Sequence, residues 1–152
     1  MTLVIDTSVV VKWFVEEDGF ESARSLITSG QKRIAPEFVI AEMANVLQRK
    51  VRTGELGDLQ AITALRSVPY FFEKLIPSTD LVEAAFTLSR VLDHSVYDCM
   101  FLALALNGQG ARLVTGDTKF LRKATAAGYG EKILNLDAAY ALVTTSQEND
   151  NG

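Results

Sequence analysis

The sequence contains one cysteine, one histidine and three prolines in 152 residues. A lone Cys99 permits no intramolecular disulfide and no cysteine-based zinc site, which fits a reducing compartment. A lone His94 excludes a two-histidine acid–base ribonuclease mechanism run by a single chain. There is no GxxxxGKS/T phosphate loop, no GxGxxG after the first predicted strand and no GxSxG nucleophile elbow. The longest clean apolar run, Cys99 to Leu106, falls far short of the ~20 residues a membrane-spanning helix needs. The start of the chain lacks the basic opening of a signal peptide. The expectation is a cytoplasmic protein with no membrane segment. A hydrolase with this inventory has to work with carboxylates and a metal.

The composition is that of a globular protein: 48% of residues are hydrophobic and 22% charged. The length suits one domain with a sizeable core. Net charge is −4, from 19 acidic and 15 basic residues. That balance argues against a broad basic surface for nucleic acid. It leaves room for a local acidic site, since setting aside four acids as metal ligands makes the two counts equal.

Strand and helix patterns alternate along the chain. Leu3-Val4-Ile5 reads as a buried strand, ended by Asp6-Thr7-Ser8. A helix from Val9 is interrupted at Glu16–Gly19, and a second runs from Phe20 to Ser29. Ile34-Ala35 is a short strand. Pro36 sits where a first helical residue belongs, ahead of a helix from Glu37 to Val51. Asp58 to Ser67 is helical, and Lys74-Leu75-Ile76 is a strand. Asp80 with Glu83 resembles an N-cap pair opening the next helix. Ser95 to Asn107 is apolar on nearly every side and predicts a central, buried helix. Arg112 to Thr115 and Ile133 to Leu136 are the last strands, with a helix from Asp117 to Ala127 between them. Residues 143–152 are polar and predict a disordered tail after a domain spanning 1–142. Such alternation predicts an α/β fold with a parallel sheet and helices on both faces. Ligands in these folds gather beyond the carboxyl ends of the strands.

Four acids stand out there. Asp6 and Asp117 each end a predicted strand, and each is also a good helix N-cap. Asp98 heads the most apolar helix, where a buried charge needs a partner or a metal; Ser95-x-x-Asp98 equally matches a capping box. Glu42 lies within a helix, with Asn45 and Arg49 on the same stripe. That stripe either presents a ligand, a polar orienter and a phosphate-gripping cation, or is a solvated face.

Val4-Ile5-Asp6-Thr7-Ser8, Glu42 with Asn45, Asp98-x-x-x-x-Ala103 and Val114-Thr115-Gly116-Asp117-Thr118-Lys119-Phe120 occur in the order found in PIN-domain ribonucleases. The chain resembles the toxin half of a VapBC-type toxin–antitoxin pair over roughly Met1 to Leu142. The resemblance implies a three-layer α/β/α sandwich with a central parallel sheet and an acidic pocket at its carboxyl edge. It implies Asp6, Glu42, Asp98 and Asp117 as catalytic, metal-binding acids, supported by Thr115, Asn45 and Ser8. It further implies Mg²⁺ or Mn²⁺, endonucleolytic cutting of RNA, a homodimer and inhibition by a cognate antitoxin.

Elementary electrostatics agrees: crowded carboxylates repel, and a divalent cation relieves them. Hard oxygen ligands suit Mg²⁺ or Mn²⁺ rather than zinc. Arg49 and Lys119 are candidates for contacts with the RNA backbone, which position substrate without reading sequence. Trp13 and Tyr70-Phe71-Phe72 suit core or interface packing. His94 is expected in the loop before the Asp98 helix, with no catalytic role. Competing readings are a catalytically silent scaffold of the same fold and a PIN nuclease acting in RNA maturation or on DNA. A dehalogenase-type phosphatase would need an acid where Ser8 stands.

Overall fold

A computed structural model describes residues 1–108 and 110–152. Five strands form one parallel sheet: β1 (Thr2–Ile5), β2 (Lys32–Pro36), β3 (Lys74–Ile76), β4 (Ala111–Val114) and β5 (Ile133–Leu134). Their spatial order is β3-β2-β1-β4-β5. The chain builds outward from β1 to β3, then returns to the other side of β1 and ends at β5. The order therefore reverses between β1 and β4, which is where such sheets open a crevice at their carboxyl ends.

Among the described residues, eight α-helices cover the sheet, completing the expected three-layer sandwich. They are α1 (Thr7–Phe14), α2 (Phe20–Thr28), α3 (Val39–Arg52), α4 (Asp58–Ser67), α5 (Val82–Leu92), α6 (Val96–Asn107), α7 (Thr118–Ala124) and α8 (Leu136–Asp150). Leu3, Val4 and Ile5 of β1 are fully buried, as a central parallel strand with both faces covered requires. The residues from Cys99 to Ala105 on α6 are buried too. This helix packs on β1, β2 and β4 and carries α5 on its outer side. That is why its sequence shows no polar stripe. No described helix is long and apolar enough to cross a membrane.

Three local expectations are corrected. Pro36 closes β2 rather than opening a helix, paired with Ile76. The next residue continues the pairing, with Glu37 N donating to Ile76 O at 2.7 Å, and α3 starts only at Val39. A proline tolerates the end of a strand because it need not donate there. Asp80 and Glu83 form no cap pair. A 3₁₀ turn over Ser78–Asp80 leads into α5, and buried Leu81 takes the N-cap position with no side-chain bond. Finally, the polar tail is helical: α8 runs to Asp150. Val143 is buried, and Thr145 and Ser146 return their hydroxyl protons to the carbonyls of Ala141 and Leu142. Composition suggested disorder because hydroxyl residues compete with helix hydrogen bonds, yet here they bond within the helix.

Candidate active site

β1 delivers Asp6 directly to the reversal point. Its backbone carbonyl starts α1 by accepting from Val9 N and Val10 N, while its side chain makes no cap bond. The carboxylate instead accepts from Thr115 Oγ1 at 2.6 Å and from Ser8 Oγ at 3.0 Å, both on Oδ2. Thr115, which directly follows β4, is itself buried and accepts from Asp117 N at 3.0 Å. Ser8 Oγ accepts from Gly116 N at 2.9 Å. A Cβ on Gly116 would come within 3.3 Å of that hydroxyl, so glycine suits the close approach of the two loops. The end of β1 and the end of β4 are thus sewn together by hydroxyls around one carboxylate.

Burial pushes the Asp6 carboxyl up from 3.8 to about 6. The Thr115 hydrogen bond opposes the shift, and the nearby Asp98 charge adds to it. Glu42, projecting from α3, accepts from Thr7 Oγ1 at 2.6 Å. Its pKa is also raised, first by burial and then by Asp6 and Asp98, with the Thr7 bond acting against them. Three of the four acids named from sequence therefore feel one another's charge.

Asp98 and Asp117 meet around His94, to which the sequence assigns no catalytic role. The carboxylate of Asp98 does not close a capping box; Ser95 Oγ alone caps α6, accepting from Tyr97 N. Asp98 Oδ2 lies 2.7 Å from His94 Nε2, and Asp117 Oδ2 lies 3.9 Å from the same nitrogen. Asp117 does both things the sequence offered. Its Oδ1 caps α7 by accepting from Phe120 N at 3.0 Å, and its Oδ2 faces His94. One ligand atom each from His94, Asp98 and Asp117 lie within 4.8 Å of one another. The only sequence signal for His94 was its place four residues before Asp98. The intervening helix start hid the usual one-turn logic.

The other sequence candidates sit farther out. Asn45, Arg49 and Lys119 are exposed, and among the described residues no hydrogen bond or ion pair ties them to the acids. Lys123 instead donates to the Asp93 carbonyl. Trp13 is in the core, with Nε1 donating to Ala23 O at 2.9 Å, and Phe72 packs on it, whereas Tyr70 is exposed.

Thr115→Val tests how the hydroxyl network holds Asp6. Valine keeps the volume but leaves Asp117 N and the Asp6 carboxylate each short of a partner. A loss of about 1–3 kcal/mol is expected. The Asp6 carboxyl should titrate still higher. Urea unfolding and a carbon-detected NMR titration of Asp6 measure the two effects; an unchanged Asp6 titration would contradict the network.

A doubly wound α/β domain with acids converging at its switch point, and, among the described residues, no lysine or arginine paired with any of the four, defines a class of site able to take a cation. The chain belongs to the PIN domain family, whose model matches residues 3–126. It is 29% identical over 128 residues to Ribonuclease VapC3 of Pyrobaculum aerophilum, covering 83% of this chain and 97% of that one. It is 34% identical over 86 residues to Ribonuclease VapC1 of Mycobacterium tuberculosis, covering 56% of this chain and 62% of that one. Among solved structures, PAE2754 from Pyrobaculum aerophilum matches with a TM-score of 0.72 at 19% identity, over 95% of this chain and 90% of that one. VapBC2 from Rickettsia felis, bound to a DNA fragment from its promoter, matches with a TM-score of 0.61 at 15% identity, over 89% and 98%. These two likenesses concern the fold.

Proposed function

We propose that the protein is a divalent-metal-dependent endoribonuclease and the toxin of a toxin–antitoxin pair. The observation that carries the chemistry is the convergence of Asp6, Glu42, Asp98 and Asp117 at the carboxyl edge of the sheet. The relatives named as VapC ribonucleases support RNA as the substrate, and the VapBC2 complex supports a cognate antitoxin as partner. A homodimer belongs to the same reading.

The donor set fits a hard divalent cation. It is rich in carboxylate oxygens, and a bound cation would relieve the burial and mutual repulsion that raise Asp6 and Glu42. Mg²⁺ or Mn²⁺ is the assignment, held by Asp6, Asp98, Asp117 and Glu42. When bound, such a cation polarises the scissile phosphate and makes water a stronger nucleophile near neutral pH.

The chain's own residues prepare the site. Thr115 and Ser8 aim the Asp6 carboxylate, and Thr7 aims Glu42. Arg49 and Lys119 are assigned to the incoming RNA strand, through its phosphates, and Asn45, one turn after Glu42 on α3, to a supporting role beside the acids. Water, rather than the RNA 2′-hydroxyl, is the nucleophile.

The test is cleavage of a mixed RNA pool by purified, partner-free protein with Mg²⁺ or Mn²⁺, with and without EDTA. Cutting that EDTA abolishes, leaving 5′-phosphate and 3′-hydroxyl ends, is the expected result. Cutting that persists in EDTA, or 2′,3′-cyclic phosphate ends, would sink the reading.

A further inference from the structure

His94 is bound on three sides, more tightly than a loop residue without a role requires. Its ring stacks on Phe120, with centroids 4.6 Å apart and planes 13° from parallel. Phe120 is buried, and its backbone N–H is the donor that caps onto Asp117 Oδ1. One residue of α7 thus supports both the imidazole and Asp117. The backbone before the ring is fixed as well. Asp93 adopts a left-handed conformation, φ 49°, at the end of α5. Lys123 of α7 grips the Asp93 carbonyl, and His94 N donates to Ser89 O at 3.2 Å. The ring's remaining edge reaches Asp98 Oδ2 at 2.7 Å.

We propose that His94 is a positioning residue, which joins α7 to α6 and sets the spacing of the Asp98 and Asp117 carboxylates around the cation. This rests on the reading of the four acids as a cation site. A carboxylate only accepts hydrogen bonds, so Nε2 is the donor in the contact with Asp98. A nitrogen that carries this proton cannot also ligate a metal. Its donation occupies one lone pair of Oδ2 and leaves the rest of the carboxylate free to face the ion. Hydrogen bonds of this kind orient ligating carboxylates, and their loss typically weakens metal affinity by about 10–100-fold.

The experiment is calorimetric titration of metal-free protein with Mn²⁺, for the wild type, His94→Ala, His94→Gln and Phe120→Leu. Thermal unfolding and circular dichroism establish that each is folded. Glutamine places an amide N–H close to where Nε2 lies. The Ala variant should bind Mn²⁺ about 10–100-fold more weakly, and the Gln variant should recover most of that loss. Phe120→Leu keeps the imidazole and removes its ring partner; it should weaken binding several-fold, and carries the test if His94→Ala does not fold. Spin-echo spectroscopy of Mn²⁺ in the wild type should show no directly coordinated imidazole nitrogen. Unchanged affinity in the His94→Ala and Phe120→Leu variants would overturn the proposal while leaving the cation site standing. Strong nitrogen coupling would overturn it by making the ring a ligand. A wild type that binds no Mn²⁺ would remove the cation site, and the proposal with it.

Discussion

Asp98→Asn should lower metal-dependent RNA cleavage on the order of a thousandfold while leaving the protein folded. Asparagine has the shape of aspartate, and its carbonyl can still accept from His94. What it removes is one negative charge at the point where α6 meets α7. The core half of α6, from Cys99 to Ala105, is untouched. The acid also sits in the first turn of α6, where negative charge favours a helix, so a stability loss of about 0.3–1 kcal/mol is expected. Catalysis and folding therefore part company at this residue. Cleavage rates at saturating Mn²⁺, measured beside the melting temperature, make the comparison. Near-wild-type cleavage in a folded variant would show that Asp98 holds no essential cation.

Metal-free protein should become less stable as pH rises from about 4 to above 6, in the part of its pH dependence that belongs to Asp6. The sign follows from proton counting. Unfolded, Asp6 releases its proton near 3.8; folded, it keeps it until about 6. Between these values the native state binds more protons than the unfolded state, so raising the pH favours unfolding. The full difference is on the order of 3 kcal/mol. Glu42, also raised by burial, acts in the same direction. Asp6→Asn removes the Asp6 share, because a neutral amide carries no cost of burying charge. In EDTA the variant should equal the wild type near pH 4 and exceed it at pH 8, whereas Mn²⁺ should stabilise the wild type and not the variant. Urea unfolding across this range is the measurement. A variant less stable than the wild type at pH 8 in EDTA would mean that the Thr115 and Ser8 hydrogen bonds outweigh the burial of charge.

Both predictions concern residues that local pattern marked out but could not interpret. Asp6 and Asp117 occupy equivalent places, one residue before a helix, and by sequence each was as good a cap as a site residue. Asp117 caps α7, whereas the Asp6 side chain turns away from its helix. The difference comes from Thr115 and Ser8, which offer Asp6 stronger partners than a helix end does. Local pattern assigns His94 no role because its contacts are tertiary. Phe120 reaches its ring, and Lys123 the carbonyl of Asp93 just before it, from a helix more than twenty residues further along the chain. Beyond Leu142 the chain is helical, with the hydroxyls of Thr145 and Ser146 bonded within the helix, a feature composition does not register.

By itself the sequence determined the strands, the buried central helix and the acids at the strand ends, because hydrophobic periodicity and turn chemistry act over a few neighbouring residues. It also narrowed the chemistry open to a hydrolase, through the shortage of histidine and cysteine and the supply of carboxylates. Only the tertiary structure decided which strands are neighbours. The pairing of β1 with β4 brings Thr115 against Asp6 across 109 residues of chain. Backbone hydrogen bonds between parallel strands are the same whatever side chains they carry, so their order is set by how the helices cover the sheet. That order, with β1 beside β4 and the reversal between them, brings acids far apart in sequence to one edge of the sheet.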